Sequence, residues 1–76
     1  MNLRDAEFGE TVVIVRLDMP YEVIQKFKEL KLYMGARITP KMEHEDGRIY
    51  EMNEKWVVVK DSIAERIITG YPPEAS

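Results

Sequence analysis

The chain contains no cysteine, which removes disulfides, thiolate metal sites and cysteine nucleophiles from consideration. It has a single histidine, so a hydroxyl nucleophile has only one imidazole available as its base, and a histidine-rich metal site cannot be assembled. Its four glycines, Gly9, Gly35, Gly47 and Gly70, are far apart, so no phosphate-cradling glycine loop is present. No uninterrupted apolar run exceeds Val12–Val15, far short of the ~20 residues that span a bilayer. Met1-Asn2-Leu3-Arg4-Asp5 shows no signal-peptide pattern. With no cysteine either, a cytoplasmic location is expected, with any membrane visited from its inner surface.

What is present suits one small folded domain. Seventy-six residues leave room for a single compact unit, in which a deep substrate pocket is hard to build. Hydrophobic residues make up 45% of the chain and charged residues 33%, a balance that folds rather than remaining disordered. Eleven basic residues against fourteen acidic ones leave a net charge of -3, which gives no global attraction to nucleic acid.

Leu3–Glu10 reads as a one-turn lead-in followed by a turn at Gly9. Thr11–Leu17 is mostly β-branched and is expected to be a buried strand. Asp18 and Pro20 signal a helix start, Asp18 as the cap, and Val23, Ile24, Phe27 and Leu30 recur at the spacing of one helical face across Tyr21–Leu32. Met34-Gly35 is expected to end that helix. Ala36–Glu43 and Arg48–Met52 flank Asp46-Gly47 as a hairpin, and Asn53-Glu54 turns into a further strand, Lys55–Val59. Ser62-Ile63-Ala64-Glu65 has the form of a capping box opening a short closing helix, with Ile63, Ile67 and Ile68 sealing the core. Residues 1–70 are therefore expected to form the domain, and 71–76, with Pro72-Pro73, a frayed tail.

This order predicts a mainly β fold with one short helix, most economically a small bent barrel. Three stretches resemble the FeoA family (ferrous iron transport protein A) and the SH3-like domain of DtxR-type repressors. They are Leu3–Glu10 with Val12–Val15, then Phe27-Lys28-Glu29-Leu30-Lys31-Leu32-Tyr33-Met34-Gly35-Ala36-Arg37-Ile38, and finally Trp56–Lys60 with Ala64–Ile67. Lys31 stands in place of the family's usual glycine and Met34 in place of its proline, while Asn53 or Glu54 stands where a glycine commonly turns the last hairpin. The resemblance implies an SH3-like small β-barrel. It also implies a non-catalytic accessory that binds and modulates FeoB, the membrane ferrous-iron transporter.

Individual residues give the site expectations. Lys26, Lys28, Lys31, Arg37 and Lys41 outnumber nearby Glu22 and Glu29, whereas Glu43, Glu45, Asp46, Glu51 and Glu54 outnumber Arg48. The surface should therefore be bipolar, which orients docking on an acidic protein or membrane face. Tyr33 and Met34 follow the helix where the chain turns, and both residue types favour interfaces. Lys26, Lys31, Tyr33 and Met34 are taken as the partner-binding face, rim packing being the competing reading. Trp56, within a valine strand, is expected in the core.

No cofactor is expected. The weak metal candidate is His44, in Glu43-His44-Glu45-Asp46, because alternation in a hairpin turns His44 and Glu45 to opposite sides. The alternative function is accordingly a divalent-metal-responsive sensor or corepressor domain using His44. A homo-oligomer formed through an open strand edge is a third reading.

Overall fold

A computed structural model describes residues 1–73. Strand β1 (Val12–Leu17) buries Val12, Ile14 and Leu17 and exposes Val15 and Arg16. A register shift between Ile14 and Arg16 breaks the strict alternation and bends the strand. β1 pairs antiparallel with β2 (Arg37–His44) on one side and with β5 (Ile67–Gly70) on the other. Strands β3 (Gly47–Met52) and β4 (Lys55–Val59) continue the sheet beyond β2, giving the order β4-β3-β2-β1-β5.

β5 corrects the expected closing helix. Helix α2 covers only Asp61–Ala64, with Lys60 as its N-cap residue and no side-chain cap bond. The helix starts two residues earlier than the capping-box pattern requires, which puts Ser62 inside the first turn instead of at the cap. Ile67-Ile68-Thr69 then resumes the strand conformation that its β-branched side chains favour, and Ile67 is fully buried against β1.

Helix α1 (Tyr21–Glu29) is shorter than expected at its C-terminal end. Pro20, not Asp18, is its N-cap residue, and the Pro20 carbonyl accepts from Val23 and Ile24 N–H at 3.0 and 3.1 Å. The Asp18 N–H instead donates to the Arg66 carbonyl at 2.8 Å. At the C-terminus, Leu32 N–H donates to Phe27 O at 2.8 Å and Lys31 N–H to Lys28 O at 3.0 Å. Lys31 has φ 68°, so these are the bonds of a Schellman motif with lysine at the left-handed position that glycine usually fills. The reversal decides which leucine is buried: Leu30 is 59% exposed, whereas Leu32 beyond the turn is 4% exposed. Gly35, at φ 94°, serves the entry into β2, where its N–H donates to Ile14 O at 2.7 Å.

The β2–β3 turn is Glu45-Asp46, one residue before the expected position, with His44 and Gly47 as the closing pair. The β3–β4 turn is Asn53-Glu54, both left-handed at φ 51° and 65°, as a two-residue type I′ hairpin requires. A second register shift, between Pro40 and Met42, bends β2 where the two halves of the sheet meet. Leu3, Val12, Ile14, Ile38, Tyr50 and Ile67 are completely buried between these halves, and Ile24, Phe27, Val57 and Ile63 pack around them.

The N-terminal 3-10 turn, Leu3–Asp5, closes the core. The Asn2 side chain accepts from Asp5 N–H at 3.2 Å, and Asn2 bridges to Ile68 of β5. Arg48 holds this segment from β3, its Nη1 donating to the carbonyls of Arg4 and Ala6 at 3.1 and 3.2 Å. The same guanidinium lies 4.6 Å from the centre of the Phe8 ring.

Trp56 is a further correction, being 54% exposed instead of core. Residues of a strand alternate between faces, so the buried Val59 and part-buried Val57 place Trp56 and Val58 on the outer side. Residues 71–73 have no regular secondary structure, and the remainder of the expected tail, 74–76, lies outside the described residues. Among the described residues no helix is long and apolar enough to cross a membrane.

Candidate functional site

The bend in β1 and the chain reversal after α1 build a hollow between them. Arg16, Leu17, Ile24, Lys28, Tyr33 and Met34 line this space of about 180 Å³. Leu17 and Ile24 belong to or abut the core. Tyr33 is 40% and Met34 66% exposed. Arg16 and Lys28 are exposed, and among the described residues neither forms an ion pair. An apolar hollow flanked by two unneutralised cations is suited to an apolar anchor side chain carried on an acidic segment.

The four residues expected to form one face are not brought together. Tyr33 and Met34 share this hollow, but Lys31 lines a different one of about 350 Å³, together with Glu29, Leu30, Met52, Asn53, Lys55 and Val57. The left-handed Lys31 lies between the end of α1 and Tyr33, so its side chain serves the opposite flank of the turn. Lys26 is exposed on α1 and lines neither hollow. Lys28 and Arg16 take the positions beside Tyr33. Lys28 belongs to the basic stretch legible in the sequence, but Arg16 carries no sequence signal, because only the β1 bulge exposes it beside a helix met later in the chain.

The charge pattern is partly consumed by internal pairing. Lys41 lies 3.6 Å from Glu51, and Arg48 Nε lies 3.0 Å from Glu43 Oε1. Arg4 and Asp61 pair at 3.0 Å between the N-terminal turn and α2. Lys26, Lys28, Lys31 and Arg37 form no ion pair among the described residues, so the basic side stays available. At the hairpin tip, His44 Nδ1 accepts the Asp46 N–H at 3.0 Å, with the Asp46 carboxylate 3.9 Å away. That nitrogen is committed to shaping the turn. Among the described residues no three His, Cys, Asp or Glu side chains are grouped so as to hold a metal ion.

No protein-family model matches the chain, and no curated protein matches its sequence. Solved structures do match its fold. A FeoA protein from Chlorobium tepidum aligns over 100% of this chain and 74% of its own, with 17% identity and a TM-score of 0.84. Iron(II) transport protein A from Clostridium thermocellum aligns over 93% of this chain, with 18% identity and a TM-score of 0.83. This chain spans 45% of that protein's length. Zinc-complexed FeoA from Stenotrophomonas maltophilia aligns over 92% of this chain and 89% of its own, with 14% identity and a TM-score of 0.75. That protein is described as a prokaryotic SH3 domain protein and put forward as a ferrous iron transport activating factor. The fold of the present chain is thus the SH3-like small β-barrel that these FeoA proteins share.

Proposed function

We propose that this chain is a FeoA-type accessory of ferrous iron uptake, a non-catalytic protein that binds and modulates a FeoB-type membrane transporter from the cytoplasmic side. The observation that carries this reading is the likeness to three FeoA structures over nearly the whole described chain, joined by an apolar hollow with a free basic rim. Met34 and Tyr33 would anchor an apolar side chain of the transporter's cytoplasmic part, while Lys28 and Arg16, with Lys26 and Lys31 at longer range, would steer an acidic surface toward it. Steering charges act mainly on association rate and salt dependence, whereas anchors act on dissociation.

The test is binding of the purified chain to full-length FeoB of the same organism in lipid, comparing Lys28→Glu, Lys31→Glu, Tyr33→Ala and Met34→Ala. Saturable binding weakened by Tyr33→Ala and Met34→Ala through faster dissociation, and by Lys28→Glu through slower association, is expected. Absence of binding by the unaltered chain would refute the transporter partner. Binding untouched by all four changes would refute this face.

A further inference from the structure

β4 is the one strand of the sheet left with an unpaired side among the described residues. The other terminal strand, β5, is covered by the N-terminal segment, through the Asn2–Ile68 bridge and the Thr69 N–H and hydroxyl, which both donate to the Met1 carbonyl. Sheet edges are ordinarily blunted by proline, by central charges or by a covering segment. β4 has none of these at its centre, which reads Trp56-Val57-Val58, with Lys55 only at its start. Its outward face is also apolar. Trp56 and Val58 are 54% and 46% exposed, and Val58 sits across from Ile49, which pairs in turn with Met42, itself 44% exposed.

The hairpin geometry fixes which backbone groups point away from β3. A two-residue turn makes Met52 and Lys55 a hydrogen-bonded pair, and such pairs alternate along an antiparallel ladder. Tyr50–Val57 and Arg48–Val59 are therefore also bonded pairs, which leaves the N–H and C=O of Trp56 and Val58 directed outward. Among the described residues no backbone bond from elsewhere in the chain reaches them.

We propose that β4 pairs antiparallel with β4 of a second copy of this chain, about a two-fold axis through Val57, joining the two sheets edge to edge. In this register Trp56 of each copy faces Val58 of the other, so every outward N–H and C=O of both strands finds a partner. The same register sets Glu54 of one copy against Lys60 of the other, twice over. Both residues are exposed and form no ion pair within the chain among the described residues. Shifting the register by two residues in either direction leaves outward groups unbonded and separates Glu54 from Lys60. The fit is self-complementary, which is what an isologous two-fold interface demands and what an unrelated strand would match only by chance. On the inner side of the edge, the hollow lined by Leu30, Lys31, Lys55 and Val57 leaves room for Val57 of the second copy. The contact is small, so the dimer should be weak and concentration-dependent.

Sedimentation equilibrium from micromolar to millimolar concentration tests this, with circular dichroism to verify folding. The unaltered chain should dimerise. Glu54→Lys and Lys60→Glu should each weaken self-association about ten-fold or more, because two attractive cross-strand pairs become repulsive. Mixing the two variants, which carry opposite charges between them at both contacts, should restore a heterodimer near the original affinity. Val58→Pro removes an outward N–H that the fold itself does not use, and should leave a folded monomer. A chain that stays monomeric at every concentration would overturn the proposal, as would a dimer indifferent to the charge changes or a mixture that fails to recover.

Discussion

Gly47→Ala should be far more damaging than its single added methyl group implies. A Cβ at Gly47 would lie 2.2 Å from the Val59 carbonyl oxygen and 2.9 Å from Val59 C and Lys60 Cα. All three are backbone atoms, so no side chain can swing aside to relieve the clash. Moving them breaks the adjacent Arg48–Val59 pair and with it the end of the β3–β4 ladder. Gly47 also has φ 148°, which an L side chain resists. Backbone strain of this kind costs roughly 1–3 kcal/mol, and the displaced ladder end adds a similar amount, so a loss of about 2–6 kcal/mol is expected. A domain of this size is stable by only roughly 4–11 kcal/mol. Gly9→Ala is the control: Gly9 has φ 84° but open space around its Cβ position, which leaves only a left-handed penalty of roughly 1–2 kcal/mol. Urea unfolding followed by circular dichroism distinguishes the two. A Gly47→Ala variant no more destabilised than Gly9→Ala would refute the backbone clash.

Two further changes act in the opposite direction. Lys31→Gly relieves a left-handed lysine at the end of α1 and should raise stability by about 0.5–1 kcal/mol after the added freedom of the unfolded glycine is deducted, a rise of roughly 2–8 °C in Tm. A fall in Tm would mean that the lysine stem packs in the adjoining hollow more than the strain costs. Tyr50 is completely buried and its hydroxyl has no hydrogen-bond partner among the described residues, so Tyr50→Phe should stabilise the fold by about 1 kcal/mol, and a loss of that size would refute the account. Burial pushes the Tyr50 phenol above its ordinary pKa of 10.0, with the Arg48 guanidinium opposing. The folded state therefore keeps a proton that the unfolded chain has released. This contribution to stability is intact below pH 10 and declines as pH rises above it, so the alkaline decline should be smaller in Tyr50→Phe.

The amino-acid sequence by itself determined most of the elements. The β-branched runs at Val12–Leu17 and Lys55–Val59 and the periodicity from Tyr21 became β1, β4 and α1, because local propensity and burial demanded the same conformation there. The turn at Asn53-Glu54 was legible for a similar local reason. The tertiary structure decided the rest. Ile67–Gly70 became a strand because β1 offered an edge, a choice that the preceding Ser62–Glu65 pattern could not reveal. Trp56 went to the outer face because the register of β4 against β3 sent Val57 and Val59 inward, and periodicity inside an all-apolar run does not tell one face from the other. The candidate site was half legible. Tyr33, Met34 and the basic stretch stood out by residue type, but a left-handed turn at Lys31 divided them between two hollows and set Arg16 beside Tyr33 in place of Lys31. A sequence reports which residues are sticky or charged along the chain, whereas a single dihedral angle at a reversal decides which of them share a surface.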